Sequence, residues 1–212
     1  MMPATNKNNA RRAAPDAEQK LIQLITFRFD QQHFAVPVEQ VWRVEALADF
    51  TITRVPGAPA FVEGLINLRG RVIPVIDLKK RLGLLPAAPT TDPAAGQARV
   101  TYPPKARLLI VEMEIAGQRE EKVAMITDTV NDIRWFPASS LYPPPAMVAG
   151  ISSQYLLGVL EEADQLWIVL ELRQVLSLEE RVSLRGEAEK GQEAGTLPFA
   201  PQPAGEAPVE LP

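Results

Sequence analysis

The residue in this chain best suited to do chemistry is Arg69. It lies in residues 61–78, FVEGLINLRGRVIPVIDL, at the tip between two apolar runs of β type. A guanidinium is a planar fork of five donors, permanently charged, and serves recognition and interface anchoring rather than turnover. Taken on these residues alone, a hydrated turn arginine is the plainer reading. The acids Asp77 and Glu171 are the other candidates. Each ends an apolar run just before a short helical stretch, so capping of free helix amides accounts for both. The chain has no cysteine and one histidine, His33. That excludes disulfides, thiol nucleophiles and thiolate metal sites, and leaves too few ligands for a histidine zinc site or a Ser-His-Asp triad. No phosphate loop or metal-ligand spacing occurs, so neither cofactor nor catalytic residue is expected.

The elements that must hold Arg69 are strands. Val62, Gly64, Ile66 and Leu68 alternate toward one face, and Val72, Ile73, Val75 and Ile76 form a denser run, the pattern of a hairpin in a compact β domain. Gly64 and Gly70 suit special backbone geometry or close packing, and Asp77 suits the N-cap of DLKKRLG, with Gly83 at its left-handed end. On strand alternation, side chains 41, 43 and 45 share one face and Trp42 the other.

Composition bounds the partners. The 212 residues can hold one moderate domain or two small ones, and 46% are hydrophobic, enough for a sizeable core. A net charge of −4 gives no general attraction to phosphate, which argues against an oligonucleotide-binding barrel and any nucleic-acid partner. No run approaches the roughly 20 apolar residues that span a bilayer, so no membrane insertion is expected. The opening MMPATNKNNARRAAPDAEQK has basic residues without an apolar core behind them, unlike a secretory signal, and a cytoplasmic protein is expected.

Proline, alanine and polar residues gather in three places: residues 1–20, 86–106 and the C-terminal stretch 183–212. These are expected to be a disordered N-terminal tail, a long loop and a disordered C-terminal tail around an ordered 21–182. Within that region the plan repeats. KVAMITDTVNDI lies on HFAVPVEQVWRV at an offset of 89, and YLLGVLEEADQLWIVLEL lies on residues 61–78 at an offset of 94. Gly64 falls on Gly158, Val75 on Val169 and Asp77 on Glu171. Such spacing points to a duplicated unit. The expected fold is mostly β: two small, similar SH3-like barrels, one per repeat, around a shared hydrophobic core, with short helices.

With these residues in view, the chain resembles the CheW-like adaptor family of bacterial chemosensory systems. The resemblance runs from FAVPVEQVWRV through TRVPGAPAFVEGLINLRGRVIPVIDLKKRLGL to LWIVLELRQVL, about residues 21–180. It implies a non-catalytic adaptor without cofactor or metal. Its partners would be the cytoplasmic helical tip of chemoreceptors and the regulatory domain of a CheA-type histidine kinase, and it would be recruited to receptor arrays at the membrane. A small enzyme or an oligonucleotide-binding barrel is the competing class.

The resemblance carries a receptor-facing role onto Val41, Arg43, Val44, Asn67, Arg69, Leu108, Val130 and Ile133. It also marks departures. The family usually has glutamate where Arg43 stands, able to pair with the arginine at position 69, so two arginines are expected to face one another unless Glu45 or Asp132 intervenes. Ala124 replaces a common glycine and Thr127 a common apolar residue.

Overall fold

The computed structural model describes residues 20–85, 102–115, 118–148 and 150–193. Residues 1–19, 86–101 and 194–212, the greater part of the expected tails and loop, lie outside the described residues. The strands are β1 (Leu21–Phe29), β2 (Gln32–Pro37), β3 (Val41–Ala46), β4 (Val62–Leu68), β5 (Arg71–Asp77), β6 (Arg107–Ile115), β7 (Gln118–Thr127), β8 (Thr129–Pro137), β9 (Leu141–Tyr142), β10 (Met147–Val148), β11 (Ile151–Ser152), β12 (Leu156–Glu162) and β13 (Gln165–Leu170). Helix α1 is Leu78–Arg81 and helix α2 is Leu178–Glu193.

Two sheets carry the fold. The first runs β3-β6-β7-β5-β4, and Thr53 bridges Leu65 at the free edge of β4. The chain leaving β3 thereby reaches the far edge and closes a small barrel. The second runs β8-β1-β2-β13-β12-β9. The alternation read from the sequence sorts the side chains into three cores. Ile66, Val75, Leu108 and Ile110 fill the first barrel, and Leu24, Phe136, Leu160 and Trp167 fill the second. Between them lies the largest cluster, with Phe27, Phe29, Phe34, Val111, Met125, Ile168 and Leu172. The three phenylalanine rings meet at centroid distances of 5.1–5.7 Å, and each fully buried ring contributes about 2–3 kcal/mol over exposure.

Two barrels on a shared core are therefore observed, but they are not one per repeat. The first barrel takes β3, β4 and β5 from the first block and β6 and β7 from the second. The second barrel takes β1 and β2 from the first block and the remainder from the second. The exchange is symmetric. Val75 pairs in parallel with Ala124, and Val169 pairs in parallel with Ala35, positions related by the offsets 94 and 89. Periodicity reports which face a residue buries; it does not name the neighbouring strand.

The C-terminal expectation is corrected too. Residues 183–193, read as tail, form the greater part of α2. A capping box starts this helix: Glu180 N donates to Ser177 Oγ at 3.2 Å and Ser177 N donates to Glu180 Oε2 at 2.7 Å. Leu184 is buried in the shared core, and Arg81 bonds both Val175 O and Glu180 Oε2. The helix lies against β5 of the first barrel.

Candidate protein-interaction surface

Strand β3 does not keep a simple alternation. Val41 pairs with Val111 and Arg43 with Ile110, so Trp42 is an extra residue in a β-bulge. The bulge regroups the faces. Val41 and Val44 stand opposite Val111 and Leu109 of the shared core, while Arg43 and Glu45 stand opposite Ile110 and Leu108 of the barrel interior. The expectation that 41, 43 and 45 share one face is overturned by this one inserted residue. Trp42 is exposed, with Lys122 Nζ 3.6 Å and Arg43 Cζ 5.0 Å from its ring centre.

The charge at position 43 is answered locally: Arg43 Nη1 lies 3.2 Å from Glu45 Oε1. Asp132 is used elsewhere, accepting from the buried Thr26 hydroxyl at 2.5 Å. Arg43 also does not oppose Arg69. Its register runs through Ile110 and Ala124 to Val75, four residues up β5 from the tip, or roughly 13 Å.

The tip itself is a two-residue turn with Arg69 at φ 53° and Gly70 at φ 83°, both left-handed, as a type I′ hairpin requires. Asn67 Oδ1 accepts from Gly70 N at 2.8 Å, so this side chain shapes the turn. Arg69 is exposed, and no hydrogen bond or ion pair engages it among the described residues. Beneath the hairpin, Gly64 has φ 146°, and a Cβ there would stand 2.2 Å from Thr53 O, at the bridge that closes the barrel. Asp77 Oδ1 accepts from Lys80 N at 3.1 Å and Oδ2 accepts from the Tyr102 hydroxyl at 3.0 Å. Burial first, then the Asp77 and Glu63 carboxylates, push the Tyr102 phenol well above its ordinary pKa and keep it a donor.

Of the remaining candidates, Val41, Val130 and Ile133 are each half-buried and packed against the shared core. Val44 is exposed on β3. Leu108 is corrected: it is fully buried inside the first barrel and offers no contact surface. Its place in an alternating strand does not tell an interior face from an interface face, because both are apolar. Trp135 and Leu21 add to the apolar surface of β8 and β1. Trp135 follows Ile133 by two residues on β8, and Leu21 stands diagonally across on β1, so both extend the same face. They are 59% and 51% exposed. Of the tryptophans, only Trp167 is core. Among the described residues, no three His, Cys, Asp or Glu side chains are grouped as a metal site would need, and no helix is long and apolar enough to cross a membrane.

Comparison with known proteins bears on the domain as a whole. Residues 23–180 match the CheW-like domain. The chain is 31% identical over 155 residues to a probable chemotaxis protein CheW of Rhizobium etli, covering 73% of this chain and 87% of that one. It is 30% identical over 159 residues to protein FrzA of Myxococcus xanthus, covering 74% and 82%. Its fold is similar to the crystal structure of the scaffolding protein TtCheW from Thermoanaerobacter tengcongensis, with a TM-score of 0.60, 27% identity, and 80% of this chain and 96% of that one covered.

Proposed function

This chain belongs to the CheW-like domain family, and on that premise we propose that it is a non-catalytic adaptor of bacterial chemosensory signalling. It couples the cytoplasmic tips of chemoreceptors to the regulatory domain of a CheA-type histidine kinase, in arrays on the cytoplasmic side of the membrane. The observation that carries this reading is the apolar surface around the shared core. Val41, Val130 and Ile133 are half-buried there, and Trp135 and Leu21 continue the strip into solvent. An exposed apolar strip with a large aromatic is what a helix laid against a groove needs. Arg69 supplies a charge without an internal partner at the tip of the first barrel, suited to a carboxylate on the receptor. The relatives named as chemotaxis proteins and as a scaffolding protein support the same role. Coupling follows from shape: a kinase domain of related fold can stand beside this one, so that a change in one receptor biases the kinase next to it.

The test is binding of the purified chain to two separate probes, a receptor-tip helical hairpin and the kinase regulatory domain. Arg69→Ala and Trp135→Ala should each weaken receptor binding about tenfold or more, the scale of a truncated anchor, and leave kinase binding in place. Binding of the unaltered chain to neither probe overturns the adaptor reading.

A further inference from the structure

We infer that Gln192, at the end of α2, is a positioning residue for the Arg69 turn, joining the C-terminal helix to the receptor-facing tip. Its side-chain amide bridges two backbone groups of the hairpin. Nε2 donates to Gly70 O at 3.0 Å, and Oε1 accepts from Val72 N at 2.9 Å. More than a hundred residues separate the partners in the chain.

The strand pairing explains why those two groups are available. Arg71 pairs with Leu68 across the two-residue turn, and Ile73 and Val75 likewise pair with β4. The amide groups of residues 72, 74 and 76 therefore face the other neighbour, β7. Residue 74 is proline and has no N–H to offer. The parallel ladder with β7 begins only at Val75, opposite Ala124. Among the described residues no strand is paired with Val72 N–H and Gly70 C=O on that side, and such groups need a partner. The Gln192 amide takes the place of the missing strand residue.

The helix is built to reach that edge. Leu184 anchors it in the shared core, and Arg185 lies 3.7 Å from Glu121 of β7. At Gly191 the backbone comes close over the hairpin: a Cβ there would lie 2.9 Å from Leu65 Cδ1 and 3.4 Å from Val72 Cγ1. A small residue at 191 lets Gln192 come level with the strand edge.

Arg69 sits in the left-handed region that non-glycine residues rarely adopt, held from within the turn by Asn67. Bracing the strand on its open edge keeps the turn formed before a partner arrives, and ordering beforehand favours binding. The equivalent tip of the second barrel, at Ala163 and Asp164, has the same two left-handed residues, and the hydrogen bonds of the described residues include no helix side chain bracing it.

This inference rests on the adaptor reading for what Arg69 binds, and the experiment separates the two. In the full chain, amide exchange at Val72 and binding to the receptor-tip and kinase probes are measured for Gln192→Ala, Gln192→Glu and Arg69→Ala. Gln192→Ala should speed exchange at Val72 about tenfold or more and weaken receptor binding about three- to tenfold, with kinase binding unchanged. Gln192→Glu keeps the acceptor for Val72 N and loses the donor to Gly70 O, so it should fall between. Unchanged Val72 exchange in Gln192→Ala overturns the brace. Unchanged receptor binding in Gln192→Ala, where Arg69→Ala loses it, overturns the positioning role. If Arg69→Ala itself leaves receptor binding intact, the receptor assignment of the tip fails, and the positioning role fails with it even where the brace is present.

Discussion

The hairpins β4–β5 and β12–β13 are built alike and used differently. Each closes its barrel through a glycine beside a bridging carbonyl, Gly64 against Thr53 O and Gly158 against Tyr142 O. Each ends in a turn with two left-handed residues. Each is followed by an acid that accepts from the next helical turn, Asp77 from Lys80 N and Glu171 from Arg173 N. The differences lie on top of this frame. The first tip carries Arg69 and is braced by α2, which covers Leu65 and Val72. The second tip is acidic, with Glu161, Glu162 and Asp164, and the counterparts of Leu65 and Val72 are half-buried Val159 and exposed Leu166. What repeats is architecture. What breaks the repeat is a helix and a charge, and these set the first tip apart from the second.

The most severe way to break the comparison is to separate the repeats. Each barrel draws strands from both, so neither repeat contains a barrel of its own. Fragments cut after Gly96 should each lack a cooperative unfolding transition. Mixed, they should recover the β-type circular dichroism of the whole chain. A folded lone fragment would show that the exchanged pairing is dispensable. The effect is the whole stability of the domain, on the order of 5–15 kcal/mol.

Next in size is the pair of barrel-closing glycines. Alanine at 64 meets a backbone oxygen at 2.2 Å and must also hold φ 146°, while alanine at 158 meets one at 2.5 Å without a left-handed backbone. Gly64→Ala should destabilise by roughly 3 kcal/mol or more, and Gly158→Ala by about 1–3 kcal/mol. Denaturant unfolding of both variants measures the ordering. Equal losses would assign the whole effect to crowding and none to conformation.

How much of this was legible in the sequence divides along the same line. The frame was readable, because Gly64, Asp77 and the apolar alternation recur at fixed offsets. The strand exchange was not, since Val75 and Val169 have the same pattern whichever strand lies beside them. The bulge at Trp42 carries no glycine to announce it, and one unannounced residue parts Val41 from the face that Arg43 and Glu45 share. Leu108 and Ile133 are both alternating apolar residues, yet one fills a barrel and the other packs half-buried against the shared core. Helix α2 was missed because Gly186, Gly191 and its many charges resemble a tail. The signal that could have found it was Ser177 followed three residues later by Glu180.

The smallest effect tests a position where the two barrels use equivalent slots for different chemistry. His33 stands on β2 beside Trp167, and its counterpart at the offset of 89 is Lys122 on β7. Lys122 lies over the Trp42 ring and 2.9 Å from Glu112, a charged group among favourable partners. His33 instead meets the Trp167 ring edge to face at 5.0 Å, and its buried Nδ1 has no hydrogen-bond partner among the described residues. Burial first, then the nearby Arg28 charge, lower its pKa from the ordinary value of about 6.5. The unfolded chain thus binds a proton at a higher pH than the folded one does. The contribution to stability is complete above about pH 6.5 and is lost as the pH falls from there through the folded pKa. Thermal unfolding followed from pH 7.5 to 5 should show the melting temperature dropping on the acid side, and His33→Gln should flatten that drop. A profile unchanged by His33→Gln would mean that burial does not oppose the charged histidine, and that the slot on β2 tolerates a charge as the slot on β7 does.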